Sequence, residues 1–167
     1  NRRLVTAGLA LIRSARGRPG IRALFDVAGR DPDRATAQDL GFTVGPRINA
    51  AGRLQDANAA IECLRSWDPH EAEGLAWVLQ STNEQRRRRE REMTGEALEG
   101  ELEEVGDSRH GVVVYGPDWH EGIVGLVASR VKERLHRPTI AFAPGEEEGM
   151  VKGSARSVPG VHIRDVL

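Results

Sequence analysis

The amino-acid sequence predicts an α/β protein in which a mostly helical first part, one long helix and a strand-helix-strand segment follow each other. Three observations indicate this class. Apolar residues recur at helical spacing through the first 65 positions, and positions 80–92 then carry no aliphatic or aromatic side chain. After position 110, short β-branched runs are bounded by glycine, as in buried strands. A strand, a helix and a second strand in succession favour parallel pairing of the strands.

Short helices dominate the predicted structure of the first part. Leu9 and Ile12 lie on the apolar face of an opening helix, which glycine and proline end soon afterwards. Asp56 is placed to cap a helix that continues to about Ser66. Residues 42–53 are so rich in glycine and small side chains that we expect a structured loop there and not a regular element.

A long helix is predicted to begin at Pro69. Asp68 can accept hydrogen bonds from the free amides of the first turn, and proline suits the first helical position. No further proline occurs before Pro117, and the middle of the segment is polar on all sides. Such a helix is typical of a solvated bridge between two bodies, stabilised by pairs such as Glu84 with Arg88.

The charge distribution supports three segments. The formal net charge of −1 conceals a basic excess before position 66, an acidic excess from 66 to 105, and a balance thereafter. We therefore place the domain boundaries at 1–67, 68–105 and 106–167. In the last segment we expect strands at 111–115, 138–143 and 150–157, a helix over 119–135, and the beginning of another helix at 161–167.

Composition excludes several classes of protein. With 39% hydrophobic residues the chain can build a core, so extensive disorder is not expected. No apolar run approaches the roughly 18 residues that span a bilayer, so no membrane association is predicted. The single cysteine and the dispersed histidines provide no disulfide or zinc pattern, which favours a reducing, cytoplasmic location. The first residues lack an initiator methionine and a signal peptide, so we expect an excerpt of a longer protein.

The strongest candidate for an anion site lies near the end of the chain. On a strand, Lys152, Ser154 and Arg156 share one face, so their donors can converge on one phosphate; Ser157 ends the same polar segment. Gly153 would admit close approach to the backbone. The alternative is an edge strand with solvated polar side chains.

A second candidate lies in the loop expected at 42–53. Arg47, Asn49 and Arg53 could contact a phosphate or a base edge, because their small neighbours let nucleic acid come near. Equally, the two arginines could pair with carboxylates and hold the loop between domains.

Further features allow both a functional and a structural interpretation. Trp119 could stack on a base, and His120 precedes a helix whose amino end favours an anion, but tryptophan before an apolar helix is more often a core anchor. The arginines at 86–89 could form a nucleic-acid patch, yet acidic neighbours within reach favour a salt-bridged, solvated helix face. No catalytic or metal-ligating constellation is present: the sequence has no nucleophile elbow, P-loop, dinucleotide fingerprint or Asp-His-His triplet.

Five motifs, taken in order, resemble the RecJ single-stranded-DNA-specific exonuclease family of the DHH phosphoesterases. They extend over nearly the whole chain and consist of Gly45–Leu54, Asn83–Arg86, Trp119–Gly125, Arg137–Pro138 and Lys152–Ser157. The resemblance implies that the three predicted segments are the closing part of a DHH domain, a connector helix and the first half of a DHHA1 domain.

The resemblance also implies an activity. The parent protein would be a metal-dependent hydrolase that digests single-stranded DNA from its 5′ end in DNA repair and recombination. Two Mn²⁺ or Mg²⁺ ions, held by residues outside this chain, would activate water, so the chain alone is expected to be inactive. Its partners would be single-stranded DNA with a 5′ end and other repair and recombination proteins, and we expect a monomer.

Residue roles follow from the same resemblance. Ser154 and Arg156 would grip the terminal 5′ phosphate, and Arg47 would hold the DNA backbone near the scissile bond. Ala155 replaces the glycine that many relatives carry, which preserves the strand face but tightens the closest backbone approach. Two alternatives are a phosphodiesterase of short oligonucleotides or cyclic dinucleotides, whose glycine-rich stretch followed by histidine is missing here, and a stand-alone nucleic-acid-binding module.

Overall fold

The computed structural model describes residues 1–14, 16–54, 56–104 and 110–166. It divides into two compact units, Asn1–Arg86 and Arg87–Leu167, and the division falls inside the longest helix. Within the described residues, no helix combines the length and the apolar character needed to cross a bilayer.

The described part of the first unit is helical. Its elements are α1 (Arg2–Arg13), α2 (Pro19–Asp26), a 3₁₀ turn (Pro32–Arg34), α3 (Ala37–Asp39), a π-helical segment (Leu40–Val44), α4 (Gly45–Leu54), α5 (Asn58–Arg65) and the first half of α6 (Pro69–Glu104). The predicted opening helix is confirmed, and Leu9 and Ile12 bury its apolar face at 8% exposure each. They join one core with Leu24, Phe25 and Leu79.

Aspartate side chains begin two of these helices, as predicted. Oδ1 of Asp56 accepts a hydrogen bond from the Asn58 amide at 3.0 Å. Oδ1 of Asp68 accepts from the His70 amide at 2.9 Å, immediately before α6. Each bond satisfies an amide that the first turn of a helix leaves without a partner.

The prediction of a structured loop at 42–53 is wrong, because these residues are helical. The π-helical segment passes directly into α4 at Gly45, and Pro46 lies in the first turn, where the missing amide proton costs little. Ala50 and Ala51 are almost completely buried in the unit. Their burial outweighs the weak helix propensity of the glycines, on which the prediction had depended.

Helix α6 confirms the predicted long helix, and Val105, where the prediction ended, lies outside the described residues. In the part of the chain that the structure describes, Glu84 and Arg88 do not form the predicted ion pair. Instead, the Glu84 carboxylate accepts a hydrogen bond from the side-chain amide of Gln80, with 2.5 Å between Nε2 and Oε1.

The second unit contains a three-stranded sheet. Its elements are the second half of α6, β1 (Val112–Tyr115), α7 (Val124–Leu135), β2 (Thr139–Pro144), β3 (Val151–Arg156) and α8 (Ile163–Val166). Strands β1 and β2 pair in parallel, which confirms the predicted strand-helix-strand arrangement. Strand β3 returns antiparallel to β2 and places Arg156 opposite Thr139.

Helix α7 packs on β2 and β3 through a stripe of valines. Val127 and Val131 are completely buried at 0% exposure. On another side of the helix, Nε of Arg130 lies 3.1 Å from Oε1 of Glu90 on α6. Because the guanidinium donates this hydrogen bond to the Glu90 carboxylate, the pKa of Arg130 is raised. These contacts fix α7 within its unit and so determine which of its side chains face β3.

Candidate phosphate-binding site

Alternate side chains of β3 meet every fourth residue of the segment that leads into and through α7. The pairs are Lys152 with Glu121, Ser154 with Gly125, and Arg156 with Ser129. Two residues along a strand advance about 6.6 Å and four along a helix about 6 Å, so the contacts stay in register. The three β3 side chains therefore lie on one face, as the alternation predicted.

The Arg156 guanidinium is held by hydrogen bonds that leave one nitrogen uncommitted. Nε donates to the Ser129 hydroxyl at 2.8 Å, and Nη1 donates to the Ser154 hydroxyl and the Ala155 carbonyl, each at 2.8 Å. Among the described residues, Nη2 has no acceptor and no carboxylate pairs with the group. A half-buried guanidinium held by neutral oxygens is available to pair with an anion.

Gly125 lets Arg156 and Ser154 pack directly against the backbone of α7. A Cβ atom at this position would lie 2.9 Å from Nη2 of Arg156 and 3.1 Å from Oγ of Ser154. Gly125 is also the second residue of α7, so its surroundings carry the partial positive charge of a helix amino end. The donors of Arg156 and Ser154 thus face bare backbone in an electropositive setting.

Lys152 and Ser157 are engaged by other groups. Nζ of Lys152 lies 3.0 Å from Oε1 of Glu121, whose other oxygen is buried with no hydrogen-bond partner among the described residues. Oγ of Ser157 accepts from the Ile163 amide at 3.1 Å, at the beginning of α8. The candidate anion site is therefore centred on Ser154 and Arg156.

The role predicted for Gly153 is wrong. The residue lies on the opposite face of β3 from Arg156, where a Cβ atom would stand 2.4 Å from the ring of Phe142, its partner on β2. Gly153 therefore makes room for an aromatic side chain and not for an approaching phosphate.

Trp119 fits the structural interpretation, a core anchor. Trp119 is only 7% exposed, and Nε1 of its indole donates a hydrogen bond to Oε2 of Glu96 at 2.7 Å. The ring covers Gly116, where a Cβ atom would lie 2.2 Å from Nε1. Because the indole is enclosed, the structure gives no support to stacking on a base.

His120 lies in the turn before α7. Its Nδ1 accepts a hydrogen bond from the Gly122 amide at 3.1 Å, and the residue is half-buried. This bond orients the imidazole and defines Nδ1 as the unprotonated nitrogen. Contact between His120 and a substrate stays a prediction.

The three polar residues of α4 do not converge. Arg47 is only 8% exposed, and its Nη1 donates to the Thr43 carbonyl at 2.6 Å, whereas Asn49 and Arg53 are exposed. Successive helical residues are about 100° apart, so Asn49 and Arg53 share one face and Arg47 lies away from it. The expected contact with a phosphate or a base edge is therefore open to Asn49 and Arg53 but not to Arg47, because the segment is a helix and not a loop.

Asn49 and Arg53 border a groove of about 420 Å³ between α4 and α5. Its other lining residues are small or aliphatic: Ile48, Gly52, Ala57, Ala60, Ile61 and Leu64. An amide and a guanidinium beside such a groove can donate to a phosphate or to a base edge.

The salt-bridged face expected at 86–89 is formed only in part. Arg86 donates to Oδ1 of the buried Asn83 at 2.7 Å. Arg87 and Arg88 are exposed, and no carboxylate of the described residues forms an ion pair with either.

The described residues do not supply a metal centre. Within them, no three His, Cys, Asp or Glu side chains lie close enough together to hold a metal ion. The donor set that the structure brings together, hydroxyl and guanidinium groups, suits an anion and not a cation.

Sequence reasoning did not find Gly125 or Ser129. The signal was present, since Glu121, Gly125 and Ser129 repeat every four residues while Lys152, Ser154 and Arg156 repeat every two. Only the antiparallel return of β3 makes the two series meet.

The sheet and helix of the second unit lie in a stretch that is similar to a known domain. A family model described as the DHHA1 domain matches residues 109–167.

Similarity to individual proteins extends over the whole chain. The single-stranded-DNA-specific exonuclease RecJ of Dickeya dadantii is 49% identical over 170 residues, covering 100% of this chain and 29% of that protein. The RecJ of Escherichia coli is 47% identical with the same coverage. The chain therefore spans less than a third of the length of these relatives.

Solved RecJ structures also match almost the whole chain. A RecJ from Thermus thermophilus in complex with Mg²⁺ matches with a TM-score of 0.82 and 32% identity, covering 99% of this chain and 24% of that one. An exonuclease RecJ bound to manganese matches with a TM-score of 0.81 and 33% identity, covering 99% and 39%. Over its whole length the chain is therefore similar to part of the RecJ exonucleases, which confirms the resemblance and the α/β fold class.

Proposed function

We propose that this chain is the DNA-positioning segment of an exonuclease that digests single-stranded DNA from its 5′ end. The relatives named above are single-stranded-DNA-specific exonucleases, and the chain corresponds to under a third of their length. The proposal therefore concerns the full-length protein, in which this segment binds and orients the substrate.

The observation that carries the proposal is the uncommitted Nη2 of Arg156 beside Gly125. Nη2 and the Ser154 hydroxyl lie near each other, within 2.9 and 3.1 Å of one point at Gly125, so one terminal phosphate can accept from both. Phosphate contacts of this kind do not read sequence. An enzyme that uses them digests any single strand and selects only its end.

Binding of the terminal phosphate by Arg156 and Ser154 sets the direction of digestion. Once the terminal phosphate is held, the next phosphodiester lies one nucleotide away and is presented in a fixed orientation, which lowers the entropic cost of reaction. In the first unit, we assign contact with the following backbone to Asn49 and Arg53, which are exposed. Arg47, expected to make this contact, instead supports the same helix from its buried face.

The metal ions are assigned to residues outside the described part of this chain, which offers no ligand cluster. A bound pair of Mn²⁺ or Mg²⁺ ions would supply activated water and charge neutralisation. The residues described above bind and orient the strand, and none of them is assigned a proton transfer.

The cellular setting belongs to the same proposal. We assign the full-length protein to the cytoplasm and to DNA repair and recombination, as a monomer that cooperates with other repair proteins.

The test compares 5′-phosphorylated and 5′-hydroxyl oligonucleotides as substrates of the full-length protein with Mn²⁺ or Mg²⁺. We expect digestion from the 5′ end, and we expect Arg156→Ala to abolish most of the preference for the phosphorylated end. Arg134→Ala is the matched control, because Arg134 is an exposed arginine of the same unit; it should retain the preference.

Two results would contradict the proposal. Digestion confined to dinucleotides or cyclic dinucleotides would favour the small-substrate phosphodiesterase. Tight binding of single strands without hydrolysis under any divalent ion would favour a binding module.

A further inference from the structure

Ser129 joins helix α7 to the guanidinium of Arg156. Its hydroxyl donates to the Gly125 carbonyl at 3.0 Å, one helical turn earlier, and accepts from Nε of Arg156 at 2.8 Å. A serine hydroxyl has one proton and two lone pairs. Because the Gly125 carbonyl takes the proton, a lone pair is left to face Arg156.

This bond determines the plane of the guanidinium. The group is rigid and planar, so fixing Nε and Nη1 also fixes the direction of Nη2. Nε is held by Ser129 on α7, and Nη1 is held by Ser154 and Ala155 on β3. Without the Ser129 bond, both remaining contacts would come from β3 itself, and the guanidinium could rotate away from α7.

We propose that Ser129 is a positioning residue for recognition of the terminal 5′ phosphate. The inference rests on the proposed function, in which Arg156 binds that phosphate, and it adds a residue that acts only through Arg156. The hydroxyl of Ser129 holds the guanidinium against Gly125 at the amino end of α7, so that the phosphate meets a preset donor.

Gly125 supports the same arrangement. Its missing side chain lets Nη2 of Arg156 lie against the backbone of α7, since a Cβ atom would stand only 2.9 Å from that nitrogen. The same residue supplies the carbonyl that orients the Ser129 hydroxyl. The spacing of Gly125 and Ser129 thus serves two purposes, room for the guanidinium and orientation of its Nε contact.

Ser129 is placed firmly enough to act in this way. Arg130, the next residue, is bound to Glu90 of α6 at 3.1 Å, and Ala128, the preceding residue, is completely buried. Helix α7 therefore cannot rotate freely about its axis at this point.

The test uses the full-length protein and the ratio of kcat/KM for 5′-phosphorylated over 5′-hydroxyl single strands. Ser129→Ala should lower this ratio about tenfold, the usual effect of losing one hydrogen bond to a charged group. The lower ratio should come from a higher KM for the phosphorylated strand, and kcat/KM for the 5′-hydroxyl strand should stay unchanged. Ser129→Thr keeps the hydroxyl and its bond to the carbonyl one turn back, so it should restore the ratio.

The matched control is Thr6→Ala. Thr6 also donates to a carbonyl one turn earlier, that of Arg2 at 3.0 Å, but no arginine donates to its hydroxyl. Its loss should leave the ratio unchanged. A Ser129→Ala ratio within about threefold of wild type would overturn the proposal, and so would an equal loss in Ser129→Ala and Ser129→Thr.

A second, independent arm uses Gly125→Ala. The added methyl group would displace Nη2 of Arg156 from its place against α7, so the ratio should fall at least about tenfold. Gly95→Ala is its control, because a Cβ atom at that helical position meets no atom of the described residues within 4 Å. An unchanged ratio in Gly125→Ala would refute the proposed position of the guanidinium.

The two proposals fail in different ways. If Arg156→Ala retains the phosphate preference, the proposed function of the site fails. If Arg156→Ala loses the preference and Ser129→Ala keeps it, only the positioning role of Ser129 fails.

Discussion

The backbone carbonyl oxygen of Cys63 lies 1.7 Å from the point that a Cβ atom on Gly20 would occupy. Helices α2 and α5 therefore touch through their backbones at this position, which no side chain can enter.

The first prediction follows from that contact. Gly20→Ala forces the two helices apart and should lower the free energy of unfolding of the chain by about 3 kcal/mol, the upper range for overpacking. Gly8→Ala is the control, since a Cβ atom there meets nothing within 4 Å. It should raise the free energy of unfolding by up to about 1 kcal/mol. Urea unfolding followed by circular dichroism measures both, and equal effects would contradict the assigned contact.

The second prediction concerns pH. Burial raises the pKa of the Cys63 thiol from 9.0 to about 11. Between these two values the unfolded chain loses the thiol proton and the folded chain keeps it, so stability falls as pH rises. Below pH 9 both states are protonated and the contribution is constant.

The measurement is the difference in unfolding free energy between wild type and Cys63→Ala at several pH values. From about pH 9 the free energy of unfolding of the wild type should fall relative to that of Cys63→Ala, and the difference should level off near pH 11. A difference that stays constant over this range would show that the thiol is not buried as described.

The third prediction separates the two interpretations of Trp119. Trp119→Leu should lower the free energy of unfolding by about 3 kcal/mol, because a buried ring and the hydrogen bond to Glu96 are lost. Affinity for single-stranded DNA should stay near the wild-type value in the full-length protein. A stacking tryptophan would instead cost about 1–3 kcal/mol of binding energy. Trp77→Leu, at a position 57% exposed, is the stability control and should have little effect.

The fourth prediction concerns Arg53. Replacing this exposed arginine with glutamine should weaken binding of single strands and reduce the slope of log affinity against log salt by about 0.7, the value for one phosphate contact. The same substitution at Arg47, which is 8% exposed, should lower the free energy of unfolding by about 2 kcal/mol, because the bond from its guanidinium to Thr43 is lost. An unaltered slope in Arg53→Gln would remove that residue from the interface.

Elements with strong local signals could be predicted from the sequence. Asp68 and Pro69 begin α6 because a cap and a fixed φ act within one turn, and β1 follows from a β-branched run bounded by glycine. Helix α4 could not be predicted, since its glycines and Pro46 disfavour a helix locally. The burial of Ala50 and Ala51, which depends on packing within the unit and not on the local sequence, outweighs that preference.

The candidate site could likewise be predicted only in part. The sequence by itself determined that Ser154 and Arg156 share a strand face, because side chains alternate along every strand. Only the tertiary structure decided that Arg156 meets Ser129, 27 positions away, that Gly153 lies under Phe142, and that Arg47 turns from Asn49. Alternation is a property of the local backbone, whereas these contacts depend on which strands pair, in which direction, and on which face each helix packs.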